Sequence, residues 1–430
     1  MLVRSMGLLR ATAMVAGIII GASIFVQPSE ISRHVPDVTG MLIVWLIAGV
    51  LTFFGALVCA ELSSAFPRTG GVYVFLKEAW SAPVAFLWGW AMLWSMHSGI
   101  VAAIAVILAR YVGFFAPLSD TGIRAVAIAV IFLFSAINYT GVRQGSAVQT
   151  FFTIVKVLAI AVMLIAVLLF APQHAAQPSA SSSSSSSYSL PAIILALIAG
   201  LFTYGGWHMV TYVAEETREP QKLIPRALML GTLVVTLCYI GLNAAYVHVL
   251  PLDQLLRSQR VAADVATILA GSSGAAAVSL LVIISAAGAL GGVILAGPRV
   301  YFAMAQDGLF FRSFGESHPR FLTPHRAIVL QAVWSSVLVA TGTYRQLFTR
   351  VIYTEWIFFA LMAAGLFVLR RRSDYAPAFR IPLWIPLIFI ASTIVIVVNQ
   401  IISEPLESIT GLLLVIVGLP VYWRIVHVRR

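Results

Sequence analysis

Long apolar stretches recur along nearly the whole chain, and they limit its fold more than any other feature. A helix needs about 20 apolar residues to cross the roughly 30 Å hydrocarbon core of a bilayer, and twelve stretches reach that length. Each is too long and too continuous for the alternating pattern of a membrane β-barrel. The sequence therefore predicts an all-α polytopic membrane protein with twelve transmembrane helices. They are expected at approximately 9–28, 40–62, 82–114, 123–141, 147–171, 190–214, 226–250, 275–303, 326–343, 348–370, 382–402 and 407–427.

The composition excludes the soluble classes of protein. Hydrophobic residues make up 60% and charged residues 10% of the chain, against about 45–50% and about 25% in soluble domains. A net charge of +11 would indicate a nucleic-acid partner in a soluble protein. In a membrane protein the same excess belongs to loops on the cytoplasmic side, so lipid is the expected surrounding and nucleic acid is not an expected partner.

The distribution of basic residues predicts the orientation. With twelve spans, nineteen of the 27 Lys and Arg residues fall on the side of the N-terminus and seven on the other side, with Lys156 inside a span. The positive-inside rule then places both termini in the cytoplasm of a multi-pass protein of the cell (inner) membrane. On this interpretation Arg370–Arg372 is an interfacial anchor and an orientation signal rather than a lipid-recognition site.

Two predicted spans carry glycine motifs near their middle. They are Gly17–Ser23 (GIIIGAS) in the first span and Thr203–Trp207 (TYGGW) in the sixth. Either motif alone favours close helix packing through small residues. Together, at equivalent places in two halves, they favour unwound helices at a binding site. Five spans separate equivalent positions, an odd number, so the two halves are expected to be inverted repeats of five helices each.

This arrangement divides the chain into four expected parts. They are a first repeat at 1–171, an external Ser-rich loop at 172–189, a second repeat at 190–371, and two further helices with a cytoplasmic C-terminus at 372–430. The amides and carbonyls freed at two unwound helices suit a zwitterionic amino acid, because half-helix ends attract a carboxylate and an ammonium. No carboxylate lies beside either motif in the sequence, which favours neutral over cationic amino acids.

Lys156 is predicted to lie about ten residues inside the fifth span. That is about 15 Å along a helix, too deep for the ammonium to reach the interface easily. A charge at such depth indicates function. Two functions remain open: the ammonium braces the unwound first helix through its free carbonyls, or it loses its proton and couples transport to protons.

Four other ionisable residues in predicted spans are candidates for function. Glu61, near the inner end of the second span, is either an inner-gate carboxylate paired with a loop arginine or a merely interfacial group. Glu355 has Arg350 as a possible partner five residues earlier. His97 and His208 are weak candidates for proton transfer, because a lone intramembrane histidine is more often a hydrogen-bonded helix contact.

Five motifs, in order along nearly the whole chain, resemble the amino acid–polyamine–organocation transporter superfamily. Within it they are most similar to the L-type and alanine–serine–cysteine exchanger branch and its stand-alone bacterial relatives. The motifs are 17–28 (GIIIGASIFVQP), 60–73 (AELSSAFPRTGGVY), 202–207 (FTYGGW), 215–225 (EETREPQKLIP) and 298–308 (PRVYFAMAQDG).

The resemblance implies a leucine-transporter-type fold of 5+5 inverted repeats plus two helices, working by alternating access. It implies that the unwound part of helix one and that of helix six line the substrate site, with an aromatic gate at Phe202. Lys156 matches the lysine that replaces sodium in this branch, and Tyr239 matches a pathway tyrosine of helix seven. The implied lining residues are Ile20, Gly21, Ala22, Ser23 and Ile24 of helix one, and Phe202, Thr203, Tyr204 and Gly205 of helix six.

Three positions depart from the family pattern. Ala22-Ser23 stands where Ser-Gly is usual, which leaves the substrate range open, and His208 stands where asparagine is common, which leaves proton coupling open. The external loop at about Phe115–Gly122 has no cysteine, although animal exchangers use one there to join a glycoprotein subunit. A disulfide-linked heavy subunit is therefore not expected.

These observations predict sodium-independent transport of neutral L-amino acids, with obligatory exchange. The alternative is a proton-coupled symporter on the same fold. No enzyme is expected, because the spans contain no paired carboxylates, metal-ligand cluster or nucleophile–base pair, and no cofactor or metal is expected either.

Overall fold

The computed structural model describes residues 3–25, 27–170, 189–258, 260–342 and 344–427. The Ser-rich loop predicted at 172–189 lies, apart from Ser189, outside the described residues. The described chain is helical throughout its regular structure, and the single β-bridge within it joins Met6 to Thr217.

Eighteen α-helices follow one another along the chain. They are α1 Leu8–Ile19, α2 Gln27–His34, α3 Val38–Ala65, α4 Val72–Ala79, α5 Ala82–Ala91, α6 His97–Val112, α7 Asp120–Tyr139, α8 Val142–Phe170, α9 Leu190–Thr203, α10 Pro220–Val249, α11 Leu252–Arg257, α12 Val261–Ala296, α13 Pro298–Gln306, α14 His325–Thr341, α15 Tyr344–Leu369, α16 Trp384–Ser403, α17 Pro405–Ile416 and α18 Gly418–His427. Short 3-10 segments occupy Ser23–Phe25, Trp207–Glu216 and Arg312–Gly315, and a π-helical turn at Met92–Met96 joins α5 to α6.

Local sequence signals explain where several helices begin. The carboxylate of Asp37 accepts a 2.6 Å hydrogen bond from the amide of Gly40 at the start of α3. The hydroxyl of Ser119 accepts one from the amide of Gly122 at the start of α7. Such side chains satisfy amides that the first helical turn leaves free. Proline stands within the first two positions of α10 and α13, where its missing amide costs no helical hydrogen bond.

Nine helical stretches of the described residues are long and apolar enough to cross a membrane, so the protein is a multi-pass membrane protein by this measure. The other three predicted spans correspond to shorter helices. The first is broken after α1, the ninth is α14 with 17 residues, and the tenth is the Tyr353–Leu369 part of α15. The count of twelve therefore stays a prediction.

The eighth predicted span begins later than the helix that contains it. Helix α12 runs from Val261, and its regular geometry is interrupted at Ala270 and Gly271, the latter with a φ of 61°. Glycine adopts such left-handed backbone angles without the steric cost that other residues incur. The short helices α4 and α11, which precede and follow longer spans, were not predicted, because each is too short to give an apolar stretch.

Burial separates central helices from peripheral ones. Of the apolar window in Val261–Gln306, 83% is buried, against 22% for each of the windows in Asp120–Tyr139 and Pro405–Val426. Helix α1 packs against α8, α10 and α12. The peripheral helices expose large apolar side chains such as Leu168, as expected where the surrounding solvent is lipid. The breaks in the helical path therefore lie inside the bundle rather than at its margin.

A strap and a buried ion pair close the N-terminal end of the bundle. The strap consists of the segment before α1, residues 3–7, and of residues 216–218, to which that segment is hydrogen-bonded. The amides of Ser5 and Met6 donate to the carbonyl of Glu216 at 2.9 and 3.0 Å, and the amide of Arg218 donates to Met6 at 2.9 Å. The guanidinium of Arg299 donates two 2.9 Å hydrogen bonds to the carboxylate of Glu216, and neither side chain has any exposed surface. The segment before α1 is thus fixed to the end of the 3-10 segment Trp207–Glu216, and that end to α13.

We expect the substitution Arg299→Met to lower the free energy of unfolding by about 3–5 kcal/mol, because it leaves the Glu216 carboxylate buried without a partner. The double variant Arg299→Met/Glu216→Gln should recover part of this loss, since no buried charge then remains. Thermal unfolding of the detergent-purified protein measures both effects.

The matched control is Lys222→Met, which breaks the exposed ion pair between Lys222 and Glu219. It should cost less than about 1 kcal/mol. Equal losses in Arg299→Met and Lys222→Met would contradict a structural role for the buried pair.

Candidate functional site

The first helical break follows directly from α1. The helix ends at Ile19, and Ile20 leaves helical geometry with a ψ of 80°. The amide of Gly21 then bonds to the carbonyl of Ile19 at 2.7 Å instead of to the carbonyl of Gly17 four residues back. The carbonyls of this segment consequently lack their helical donors, and in a membrane interior each must find another.

Lys156 donates to two of these carbonyls and to one on α12. Its ammonium, fully buried on α8, donates to the carbonyls of Gly17 at 2.9 Å, Ile20 at 2.7 Å and Ser285 at 2.9 Å. An ammonium has three donors, so all of them are used. Lys156 forms no ion pair with a carboxylate among the described residues. Its charge is therefore solvated by carbonyl dipoles, as a metal cation would be.

Two hydroxyl groups complete the bonding of the first break. Ser285 on α12 donates toward the carbonyls of Ile20 at 3.0 Å and Gly21 at 3.2 Å. Tyr239 on α10 lies 2.8 Å from the carbonyl oxygen of Ile19 and 3.1 Å from that of Thr203. The Tyr239 hydroxyl thus touches both interrupted helices. Ser285 was not predicted, because one serine among many in an apolar span gives no sequence signal.

A glycine on α12 makes room for Lys156. A Cβ added at Gly288 would lie 2.7 Å from the Cβ of Phe152 and 3.2 Å from the Lys156 ammonium nitrogen. Both distances are shorter than ordinary van der Waals contact. Position 288 therefore has to be glycine for the lysine to reach the break in this arrangement.

The second break separates α9 from the 3-10 segment Trp207–Glu216. The amide of Gly205 bonds to the carbonyl of Phe202 at 3.0 Å, and Gly206 adopts a φ of 96°. A Cβ at Gly206 would collide with the side chain of Ile18 on α1. The left-handed backbone and this close approach both require glycine. The two breaks therefore lie against each other.

A cavity lies between the two breaks and is closed by α6 and α15. Six of the residues predicted to line the site do line this cavity: Gly21, Ala22, Ser23, Phe202, Thr203 and Gly205. Its other lining residues are Ile18, Ile19, Gly99, Ile100, Ala103, Ile104, Ile107, Leu201, Gly206, Trp207, Met209, Val293, Glu355, Trp356 and Phe359. The lining is mainly apolar and aromatic, with a few polar groups, as in sites for small organic ligands.

The remaining predicted lining residues lie behind the cavity. Ile20 and Ile24 belong to the first break but are fully buried in the apolar core. Tyr204 belongs to the second break, where its hydroxyl donates to the carbonyl of Trp45 at 3.3 Å and its ring packs 4.9 Å from that of Tyr239. These three side chains support the backbone of the breaks and are not among the described residues that line the cavity.

A carboxylate does lie at this cavity, although none lies beside either glycine motif in the sequence. Glu355 on α15 lines the cavity, and its Oε1 lies 3.5 Å from Nε2 of His208, which follows the second break. Glu355 and His208 are almost 150 positions apart in the sequence, so their proximity becomes visible only when α15 packs against the second break. Neither ring nitrogen of His208 has a hydrogen-bond partner among the described residues, and nor does that oxygen of Glu355. The side chain of Arg350, the partner considered for Glu355, lies outside the described residues.

The other two ionisable candidates lie outside the cavity. His97 on α6 is bonded through Nε2 to the carbonyl of Val293 at 2.7 Å, which is a helix–helix contact. Glu61 is fully buried near the end of α3 and accepts a 2.8 Å hydrogen bond from Nε of Arg370 and another from the amide of Ile381 at 2.8 Å. The partner of Glu61 is thus an arginine at the end of α15, and Arg370 is more than the interfacial anchor predicted from the sequence.

A tyrosine completes the surroundings of Glu61. The hydroxyl of Tyr375, in the segment between α15 and α16, donates to Oε1 of Glu61 at 3.2 Å. Burial, together with the adjacent Glu61 charge, raises the pKa of Tyr375, so the hydroxyl keeps its proton and stays a donor. The carboxylate therefore joins α3, the end of α15 and the segment between α15 and α16, on the side of the bundle where α3 ends.

The model of the amino acid permease family matches residues 6–422. The chain belongs to the amino acid permease family. It is therefore a membrane transporter of the amino acid–polyamine–organocation superfamily, and not an enzyme. Its relatives belong to the exchanger branch, which confirms the resemblance seen in the sequence.

Three relatives illustrate the match. The chain is 31% identical to the b(0,+)-type amino acid transporter 1 of Mus musculus, over 99% of this chain and 88% of that protein. It is 31% identical to the serine/threonine exchanger SteT of Bacillus subtilis (strain 168), over 98% of this chain and 96% of that protein. It is 27% identical to the human cystine/glutamate transporter, over 98% and 85%. The relatives are named as amino acid transporters or exchangers, and the match covers 85% or more of the length of each.

Two buried ionic residues of this transporter were missed in the sequence, although the signal was present. Glu216 lies in the motif at 215–225 and Arg299 in the motif at 298–308. A charged residue at the edge of an apolar span within a family motif indicates a partner, and the two motifs supply opposite charges. What the sequence could not supply was the contact between them.

We expect the substitution Lys156→Met to destabilise the purified transporter more than Ser285→Ala does. The methionine removes three hydrogen bonds from a charged donor, to the carbonyls of Gly17, Ile20 and Ser285, at about 1.5–3 kcal/mol each. Ser285→Ala removes one neutral hydroxyl that lies between the carbonyls of Ile20 and Gly21, and should cost about 1 kcal/mol. Thermal unfolding in detergent compares the two variants; equal stability of Lys156→Met and the unsubstituted protein would refute this role.

Proposed function

We propose that the protein carries out sodium-independent transport of neutral L-amino acids across the plasma membrane by alternating access, in obligatory exchange. One observation carries the proposal: the Lys156 ammonium lies 2.7 to 2.9 Å from three carbonyl oxygens, two of them in the first break and one on α12. Unwound carbonyls of this kind coordinate the coupling cation in transporters with broken helices. With a fixed ammonium in that place, no sodium ion is needed to neutralise the carbonyl dipoles.

The substrate is held at its common zwitterionic part by the two breaks. Backbone amides of one half-helix bind the carboxylate, and carbonyls at the end of another bind the ammonium. The apolar lining then selects the side chain. With one proton between them, Glu355 and His208 carry no net charge, whichever of the two holds it. In that state the pair offers no net negative charge to a cationic side chain, which favours neutral amino acids.

The proposed cycle moves the two interrupted helices against the rest of the bundle. The chain would have twelve spans, with inverted repeats at 1–171 and 190–371 and two further helices at 372–430, and with both termini in the cytoplasm. Phe202 would act as the aromatic gate over the substrate, and Tyr239 would hold the two breaks together. The ion pair of Glu61 with Arg370 would form part of the inner gate.

The name of one relative supports exchange, and that of another supports neutral substrates. The Bacillus subtilis relative is named a serine/threonine exchanger, and this chain covers 96% of it. Another relative, at 29% identity, is named a small subunit of a large neutral amino acid transporter. The loop at Phe115–Gly122 has no cysteine for a disulfide to a second subunit. We propose that this chain works alone, on small neutral substrates.

We expect proteoliposomes that contain only this protein to take up labelled alanine, serine and leucine in sodium-free buffer when unlabelled amino acid is inside, and to take up little when they are empty. Obligatory exchange requires a substrate for the return step, which is the physical reason for the difference. Replacing sodium by choline should leave the rate unchanged.

Protein-free liposomes and proteoliposomes with the Lys156→Met variant give the background uptake against which exchange is measured. Uptake that depends on sodium would overturn the role given to Lys156. Absence of exchange for all three amino acids would overturn the neutral substrate class.

A proton-coupled symporter on the same fold is the second candidate function. It is favoured by the 3.5 Å approach of His208 to Glu355 at the cavity wall. Two groups that can share one proton beside the substrate can carry that proton through the transport cycle. In that case the pair, and not the exchanged amino acid, would drive the return step.

An acidic outside medium distinguishes the two candidates. Symport predicts accumulation in empty vesicles under this gradient, abolished in both Glu355→Gln and His208→Asn, because neither variant can share a proton between these side chains. Glu404→Gln, which changes an exposed carboxyl group at the start of α17, is the control. Exchange predicts no accumulation in empty vesicles for any of these proteins.

A further inference from the structure

Five arginines surround a second cavity, on the end of the bundle that carries the N-terminus. The arginines are Arg4, Arg10, Arg143, Arg218 and Arg320, and the lining residues include no aspartate or glutamate. They come from four separate segments of the chain: the segment around the start of α1, the start of α8, the turn after Trp207–Glu216, and the loop before α14. A general excess of positive charge on one side of a membrane protein does not require them to meet at one concave place.

None of these five guanidinium groups forms an ion pair or donates a hydrogen bond within the part of the chain that the structure describes. Elsewhere on the same end of the bundle arginines are paired, as Arg299 is with Glu216 and Arg370 with Glu61. Arg320 contacts only the ring of Phe321, 5.5 Å from its guanidinium carbon. Five like charges around one cavity repel each other until a counter-charge enters.

We propose that this cavity binds a phosphate-bearing anion, supplied by a phospholipid headgroup or by free phosphate in solution. Arginine binds phosphate through two parallel hydrogen bonds, which makes it the preferred residue for such ligands. Helix α8 begins in the cavity wall at Val142, so the positive end of its dipole adds to the attraction. The cavity does not touch the site between the helical breaks, and its binding does not depend on the proposed function.

The anion joins two parts of the molecule that are held separately. Arg4 and Arg218 belong to the strap, in which the amide of Arg218 donates to the carbonyl of Met6. Arg143 and Arg320 belong to another unit, because Thr323 donates to the carbonyl of Tyr139 at 2.9 Å and the ring of Phe321 packs 5.9 Å from that of Tyr139. A ligand held by both sets of arginines bridges the first helix to α7, α8 and the loop before α14.

This bridge controls how easily the N-terminal end of the bundle opens. Without the anion, repulsion among the arginines pushes the strap away from the second unit. With it, the same charges hold the two units together. The bound anion therefore stabilises the arrangement described here, in which the strap is closed, and slows any movement of α1 that needs the strap to separate.

The test uses the full chain in nanodiscs and measures its thermal unfolding midpoint. In phosphatidylcholine nanodiscs, inorganic pyrophosphate is titrated as the soluble probe. In a second set, part of the lipid is replaced by phosphatidylglycerol and no pyrophosphate is added. The variant Arg143→Gln/Arg320→Gln removes two cavity arginines, and Arg371→Gln/Arg424→Gln removes two exposed arginines outside the cavity.

We expect a rise in the midpoint with pyrophosphate, with phosphatidylglycerol, or with both, and the arm that responds identifies the source of the phosphate group. The half-saturating pyrophosphate concentration should increase roughly fivefold for each cavity arginine removed, and remain unchanged in the control variant. In phosphatidylcholine without anion, Arg143→Gln/Arg320→Gln should unfold at a higher temperature than the unsubstituted protein, because repulsion is relieved.

Two results would overturn the proposal. One is the absence of any shift in both arms for the unsubstituted protein. The other is an equal loss of the shift in the cavity and control variants, which would show that the anions act on overall charge. Arg320→Lys controls for a folding defect in the double variant, because it keeps the positive charge and loses only the paired hydrogen bonds. The anion-induced shift of its unfolding midpoint should lie between those of the double variant and the unsubstituted protein.

Discussion

The arrangement of the whole bundle depends on one buried ammonium and the three carbonyls that solvate it. A helix cannot be interrupted inside a membrane unless the freed backbone groups find partners. Lys156 and Ser285 provide these from α8 and α12, while Tyr239 contributes from α10. The first break therefore depends on tertiary contacts with three neighbouring helices. The cavity beside the break exists because those helices supply hydrogen-bond donors to the freed carbonyls, and its apolar walls come from the same packing.

Much of this was accessible from the sequence. Apolar stretches gave the helical membrane class, and glycine motifs at Gly17–Ser23 and Thr203–Trp207 located both breaks within a few residues. The depth of Lys156 in an apolar stretch indicated a functional charge and left bracing of the first break and proton coupling both open. These features are local: each is set by residues close together in the chain.

What the sequence could not supply were contacts between distant helices. The approach of Glu355 to His208 depends on how α15 packs against the second break, and the pairing of Glu216 with Arg299 depends on how two motifs meet. The π-helical turn before α6 and the early start of α12 likewise follow from packing, since neither changes the apolar pattern. Even the orientation of Tyr204, within a motif that was recognised, is set by Trp45 and Tyr239 rather than by its neighbours.

The contact between Gly206 and Ile18 has a mechanical consequence. There is no room for a further carbon atom between Gly206 and Ile18, so the two interrupted helices are in direct contact at the second break. Rotation of one about its axis forces the other to turn or to slide along it. Rewinding of the second break moves the backbone of Gly206 against the side chain of Ile18, so a change at one break alters the packing of the other. A molecule with this geometry would tend to change state in one concerted step, with few stable arrangements in between.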